Sequence, residues 1–244
     1  MEPYGPSTYG DRHADVFDET LPMSEAETEA AVDLLAELAR GGPALELGLG
    51  TGRIAIPLAA REVEVHGIEA SEPMVERLCA RPGGELVGVT VGDLADVGVR
   101  GSFRLVYAVF NTFFELYTES DQLRCLRNAV ARLTEDGLLV LELYVPGPAE
   151  GGGSSLAVSE VRPDRVTLVA SQHDPVTATT DSVEIRLTDE GVRLFPLRER
   201  ALPPGEVDRL AELAGLRLRD RWSGWRREPF GPESRQHVSV YTRT

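Results

Sequence analysis

Five short apolar runs separated by helical segments constrain this chain more than any other feature. The runs are Ala44–Leu47, Glu64–Ile68, Leu86–Val91, Arg104–Val109 and Leu138–Val145. Between them lie a helix from about Arg53 to Arg61, a second capped by Ser71 with Pro73 in its first turn, and a third from about Asp121 to Leu133 that ends near Gly137. Runs this short and this apolar are strands buried on both faces. Strands alternating with helices are βαβ units. The expectation is an α/β fold with a doubly wound, mostly parallel sheet.

The flanks read differently. Within the first 20 residues only Tyr9, Val16 and Phe17 stand out. Ser24 and Glu27 form a capping box, in which hydroxyl and carboxylate satisfy each other's free amides. The helix AETEAAVDLLAELAR follows and stops at Gly41–Gly42. After the fifth run, PGPAEGGGSS (146–155) reads as a flexible linker. Residues 156–200 then alternate in LAVSEVR, RVTLVASQ, ATTDSVEIRLT and VRLFPLRER. These are amphipathic antiparallel strands around turns at Arg162–Asp164 and Thr188–Gly191. Pro203–Pro204 opens one more helix, stopped by Gly215, and Leu216–Trp222 and His237–Thr242 are two last strands. A length of 244 residues suits one domain with a small appendage. Residues 1–150 and 202–244 are therefore expected to form one domain, and 151–201 an antiparallel insertion after the fifth strand.

Charge and composition exclude several classes. A net charge of −15 disfavours binding to a phosphate backbone or to an anionic membrane surface. No stretch approaches the ~20 apolar residues of a membrane span. The polar, acidic start MEPYGPSTYGDRHADVFDE lacks the pattern of a secretory signal, so the expected location is the cytoplasm. Cys79 and Cys125 read as reduced packing residues. The four histidines show no ligand spacing, so no metal is expected.

The sharpest local signal is Glu46-Leu47-Gly48-Leu49-Gly50-Thr51-Gly52-Arg53, between a strand and a helix. Glycines there let the backbone turn sharply and approach a ligand, while the free amides of the helix start face it. The turn lacks the Lys–Ser/Thr pair of a P-loop. Its third glycine falls at 52, where a dinucleotide fingerprint places it at 53. Glu69 ends the second strand, 21 residues after Gly48, where an acid accepts from ribose hydroxyls. Asp93, just past the third strand, can accept from an adenine amino group. Acids at three successive strand ends (Glu46, Glu69, Asp93) suit a cationic ligand such as a sulfonium and repel a pyrophosphate.

With these residues in view the chain resembles the class I S-adenosylmethionine-dependent methyltransferases, which have a Rossmann-like fold. ALELGLGTGRIAIPLA, VHGIEASEPMVERL and VGDLADV resemble their first three motifs; FRLVYAVFNTFFEL and LTEDGLLVLELYVP resemble the fourth- and fifth-strand segments. The resemblance implies S-adenosyl-L-methionine as cofactor. It places Glu46, Gly48, Leu49, Gly50, Gly52 and Arg53 in the cofactor turn. Glu69 and Ala70 fall at the ribose, Met74, Asp93 and Leu94 at the adenine, and Phe110 beside the methyl. The pattern Tyr9-x7-Phe17-Asp18 and the late insertion are similar to antibiotic-pathway sugar N,N-dimethyltransferases. In those enzymes the N-terminal Tyr reaches the cofactor and acceptor pocket, and the insertion is a cap or an oligomer contact, which leaves a homodimer open here. Where they tend to carry His after the fourth strand, this chain has Glu115.

The implied reaction is methyl transfer to the nitrogen or oxygen of a small molecule. Open α/β sheets bind ligands over the carboxyl ends of their strands, so VFNTFFELY lies near the methyl. Glu115 is the candidate base or amine-orienting acid, and Asn111 a candidate bond to the acceptor. Phe17, Phe113, Phe114 and Tyr144 are candidates to line the acceptor pocket. Trp222, with Trp225, Arg226 and Arg227, is a candidate contact for an anionic acceptor. Two other readings stay open: a nicotinamide-dependent oxidoreductase, against which the glycine spacing counts, and a non-catalytic protein that binds an adenosyl ligand.

Overall fold

The computed structural model describes residues 4–20, 23–147 and 153–244. Two short N-terminal helices, α1 (Thr8–His13) and α2 (Phe17–Thr20), precede α3 (Glu25–Ala39). Both halves of the capping box at Ser24 form. Then come β1 (Ala44–Leu47), α4 (Ala55–Ala59), β2 (Val65–Glu69), α5 (Glu72–Ala80), β3 (Val87–Val91), β4 (Phe103–Ala108), α6 (Glu119–Arg132) and β5 (Leu133–Tyr144). The chain continues through β6 (Gly153–Val161), β7 (Arg165–Asp174), β8 (Thr179–Thr188), β9 (Gly191–Arg200), α7 (Pro204–Leu213), β10 (Leu216–Trp222) and β11 (Gln236–Arg243).

Seven strands form one sheet in the order β10-β11-β5-β4-β1-β2-β3. β1 to β5 run parallel, β11 runs antiparallel to β5, and β10 antiparallel to β11. The fold is therefore α/β, Rossmann-like and mostly parallel. β1 and β4 are neighbours although β2 and β3 lie between them in sequence, so the winding reverses there and opens a crevice above their carboxyl ends. Alternate residues feed opposite faces. Leu45, Leu47 and Val106 enter one apolar core, and Ala44, Leu105 and Tyr107 the other. β6 to β9 make a separate four-stranded antiparallel sheet.

Local details depart from expectation. α4 is shorter than Arg53–Arg61, because Glu62 turns left-handed just beyond it and the glycine turn extends into its start. α6 begins at Glu119, where the Thr118 hydroxyl accepts from Asp121 N. It does not run on to Gly137: Leu133 already pairs with Phe103 of β4, so sheet pairing overrides helix propensity. Of the expected linker, residues 148–152 lie outside the described residues, and Gly153–Ser155 are strand, paired to His173, Gln172 and Ser171. Cys125 is buried as expected, while Cys79 is exposed, and both are free.

Candidate active site

A cleft opens above the carboxyl ends of β1, β2 and β4. Its floor is the glycine turn. Gly48 has φ of +85°, and a Cβ there would stand 2.4 Å from Thr112 Cγ2, so only glycine fits. The Gly50 amide donates to Glu69 Oε2 at 2.8 Å, and the Ser71 amide to Glu69 Oε1 at 2.9 Å. One carboxylate thus ties the turn after β1 to the start of α5. Met74, buried from the first turn of α5, forms part of the wall with Ala70 and Ile68.

The N-terminal segment closes the cleft from above. Tyr9 and Phe17 meet edge to face at 6.3 Å, and both line it. Contacts with the glycine turn and with α5 hold this segment down. Ser71 Oγ donates to Asp11 Oδ1 at 2.8 Å, and Thr51 Oγ1 to Asp18 Oδ1 at 2.7 Å. Gly10 packs so closely on α5 that a Cβ would lie 2.4 Å from the Cβ of Ser71.

Among the described residues the wall carries three carboxyl groups, Glu46, Glu69 and Glu115, and no basic side chain. Glu46 is buried beside Tyr107, whose hydroxyl donates to it at 3.0 Å, and burial pushes its pKa up to about 8. Burial raises Glu69 as well, opposed by the amides of Ser71 and Gly50. Glu115 sits in a 3-10 turn after β4, Thr112–Glu115. Burial and then the charges of Glu69 and Glu199 push it to about 8. Glu199, from β9, is itself raised to about 6 by burial, and Tyr144 Oη donates to it at 3.5 Å. Carboxyls this reluctant to ionise in mutual company await a cation.

Twelve of the residues picked out from sequence line this cleft: Tyr9, Phe17, Glu46, Gly48, Leu49, Gly50, Glu69, Ala70, Met74, Leu94, Phe110 and Glu115. Seven do not. Gly52 packs against Ile56 and Leu78. Arg53 turns away to donate to Met23 O and Asp18 O. Asp93 stands between the lining residues Gly92 and Leu94, but its Oδ1 accepts from Ala95 N at 2.8 Å. Asn111 Oδ1 accepts from Tyr144 N at 2.6 Å, which makes it a turn residue. Phe114 is fully buried and meets Tyr144 edge to face, and Phe113 is core. Trp222 lies under Arg227 at 5.3 Å, and its neighbours are equally engaged: Arg227 pairs with Glu37, Arg226 donates to Ala26 O, and Trp225 is buried. These side chains lie outside the cleft and are engaged with the protein's own groups. Sequence reading missed Pro6, Gly10, Ile68, Gly92 and Thr112. Thr112 was accessible in principle, since a residue facing Gly48 must come from the turn after the neighbouring strand.

The cleft lies at the reversal of an α/β sheet, has a glycine floor, and is acidic where a pyrophosphate site would need the opposite. These features define a site for a cationic adenosyl ligand. Comparison with known proteins agrees. A methyltransferase domain model matches residues 44–137. The CcbJ methyltransferase from Streptomyces caelestis is 39% identical, with a TM-score of 0.92 over 99% of this chain and 100% of that one. The cypemycin N-terminal methyltransferase of a Streptomyces species is 26% identical over 207 residues, 83% of this chain and 84% of that protein. The S-adenosylmethionine-bound amino pentose methyltransferase CalS10 from Micromonospora echinaspora shares the fold, with a TM-score of 0.65 and 21% identity over 100% and 99% of the two chains. The chain belongs to the S-adenosylmethionine-dependent methyltransferases and is an enzyme of that class. The alternative readings as an oxidoreductase or a non-catalytic binder gain no support.

The residues present fit the donor. The turn at Gly48–Gly50 leaves room for backbone approach, Glu69 keeps lone pairs that could take hydroxyl donors, and Glu46 and Glu115, once ionised, would offer negative charge to a sulfonium. No described helix is long and apolar enough to cross a membrane.

Proposed function

We propose that this enzyme methylates an amine nitrogen of a small molecule, with Glu115 as the proton acceptor. The observation that carries the reading is the Glu115 carboxyl. It faces the cleft at the end of β4, bonds to no other described side chain or amide, and has a pKa raised to about 8. S-adenosylmethionine supplies a methyl group already activated on sulfur, so the protein's part is alignment and proton handling. An amine arrives at neutral pH as an ammonium. Beside a bound sulfonium Glu115 has a lowered pKa and gives up its own proton to solvent; the ionised wall then draws the ammonium in, and Glu115 takes its proton, which frees the lone pair for transfer. A base with a pKa near the working pH serves this role best. A hydroxyl acceptor gains less from a cleft so rich in carboxyls. The names of two relatives, an N-terminal methyltransferase and an amino pentose methyltransferase, support an amine acceptor. They also make a place in specialised antibiotic metabolism reasonable.

In this reading the β6–β9 sheet caps the acceptor side. Glu199 of β9 approaches the cleft through Tyr144, and Phe195 of β9 packs on His13 of α1 at 5.2 Å. The opposite, apolar face of the sheet meets a second copy of the chain. The test of the acceptor is a panel of small amines and matched alcohols incubated with S-adenosylmethionine, with S-adenosylhomocysteine release as the readout. Turnover confined to amines supports the proposal. Turnover with alcohols alone ends it.

A further inference from the structure

Phe110 and Asn111 follow β4, and both adopt left-handed backbone conformations, with φ of 55° and 65°. Side chains other than glycine seldom do so twice in succession, and such a turn persists only where its surroundings over-determine it. Here those surroundings come from one short stretch of β5. Glu142 Oε2 accepts from Phe110 N at 2.8 Å, and the Glu142 carbonyl accepts from Asn111 N at 3.3 Å. Two residues on, the Tyr144 amide donates to Asn111 Oδ1. The second Glu142 oxygen accepts from Trp225 Nε1 at 3.0 Å, on the loop between β10 and β11. Glu142 is 7% exposed and burial raises its pKa, yet both oxygens are occupied by N–H donors that favour the ionised form. Phe110, the residue this clamp sets, lines the donor cleft.

We propose that Glu142 is a positioning residue for the methyl-donor site: with Trp225 it locks the Phe110–Asn111 turn and so aims the Phe110 ring at the donor. A carboxylate is needed because both of its faces must accept. The amide of a glutamine has one acceptor and would present an N–H to the other donor. The same link makes Trp225, outside the cleft, a reporter of what the cleft holds. The inference rests on the donor cleft alone, not on the nature of the acceptor, so its failure would leave the amine reading untouched.

The test is S-adenosylmethionine binding, measured by calorimetry and by Trp225 emission in a Trp222→Phe background where Trp225 is the sole tryptophan. Glu142→Gln is expected to weaken binding at least fivefold and to abolish the emission change on saturation. Phe110→Ala is expected to weaken binding by itself. Adding Glu142→Gln to it should cause less than a twofold further loss, because the carboxylate acts through that ring. A Glu142→Gln variant that binds within twofold of its parent with the same emission change overturns the assignment. So do losses that multiply in the double variant. Should Glu142→Gln fail to fold, Trp225→Phe, which removes the indole N–H but keeps an aromatic ring, takes its place. A threefold or greater loss of affinity that vanishes in the Phe110→Ala background supports the proposal, and unchanged affinity overturns it.

Discussion

Glu69 ties the glycine turn to α5 and is proposed to hold the donor's ribose as well. Its two oxygens take the Gly50 and Ser71 amides, and the carboxylate still borders the cleft. Glu69→Ala should therefore weaken S-adenosylmethionine binding by about 1–3 kcal/mol, the range for a lost bond to a charged group. Asp93→Ala should cost less, because that carboxylate lies outside the wall, with Oδ1 accepting from Ala95 N. Calorimetric titration of both variants checks the order. Glu46 and Glu115 carry a second prediction. Both hold a pKa of about 8 when folded, against 4.5 for an ordinary glutamate. The folded chain then binds more protons than the unfolded one, so unliganded stability falls as pH rises from about 4.5 to 8. Glu115→Gln should melt higher than the parent by several degrees at pH 8 and differ little at pH 4. Thermal melts across that window decide it. Residues whose place follows from chain order were legible in the sequence: Gly48, Glu69, Met74 and Glu115 line the cleft where the segments after β1, β2 and β4 put them. Asn111, Phe114 and Trp222 were not, because a polar or aromatic residue near a site can equally face its own backbone or the core.

At the level of elements, the glycine turn and the turn after β4 interlock. Gly48→Ala would drive a methyl group into Thr112 and force a left-handed alanine. Donor affinity should fall at least tenfold, roughly 1.4 kcal/mol or more, with partial recovery in Gly48→Ala with Thr112→Ser, which removes the clashing methyl. At the other end of the molecule, Ser24→Ala should cost about 1 kcal/mol by undoing the cap of α3, measurable by urea unfolding. The strands of both sheets were legible from run length and alternation. The early start of β5 and the short α4 were not, since the Leu133–Phe103 pairing and the left-handed Glu62 are settled by neighbours distant in sequence or by local backbone geometry. The two N-terminal helices carried no periodicity to read. They are held by Asp11, Asp18 and Gly10 against the cleft rather than by their own propensity.

The whole molecule leaves one face unexplained by the cleft. Val158, Leu168, Ile185 and Leu194 pair across β6 to β9 in one row, and Val161, Val166, Leu187 and Val192 in the next. Side chains alternate along strands, so both rows stand on the same face. Val158, Val161, Val192 and Leu194 are each more than half exposed, at 64%, 72%, 62% and 57%. An apolar patch of this extent is rare on a monomer. The expected outcome of light scattering is a mass at least twice that of the chain, reduced to a monomer by Val158→Glu with Leu194→Glu. A monomeric parent would remove the second-copy reading of this sheet while leaving the cleft as described.

In the proposed site a wall of reluctant carboxyls selects a cationic donor. At pH 7 Glu46 and Glu115 hold protons in the free enzyme, and a sulfonium beside them lowers their pKa, so binding must expel protons. Calorimetry at pH 7 in buffers of differing ionisation enthalpy measures that release. S-adenosylmethionine should bind with net proton release, S-adenosylhomocysteine with less, and NAD not at all. Binding of S-adenosylmethionine with no proton release, or tighter binding of NAD, would contradict the account.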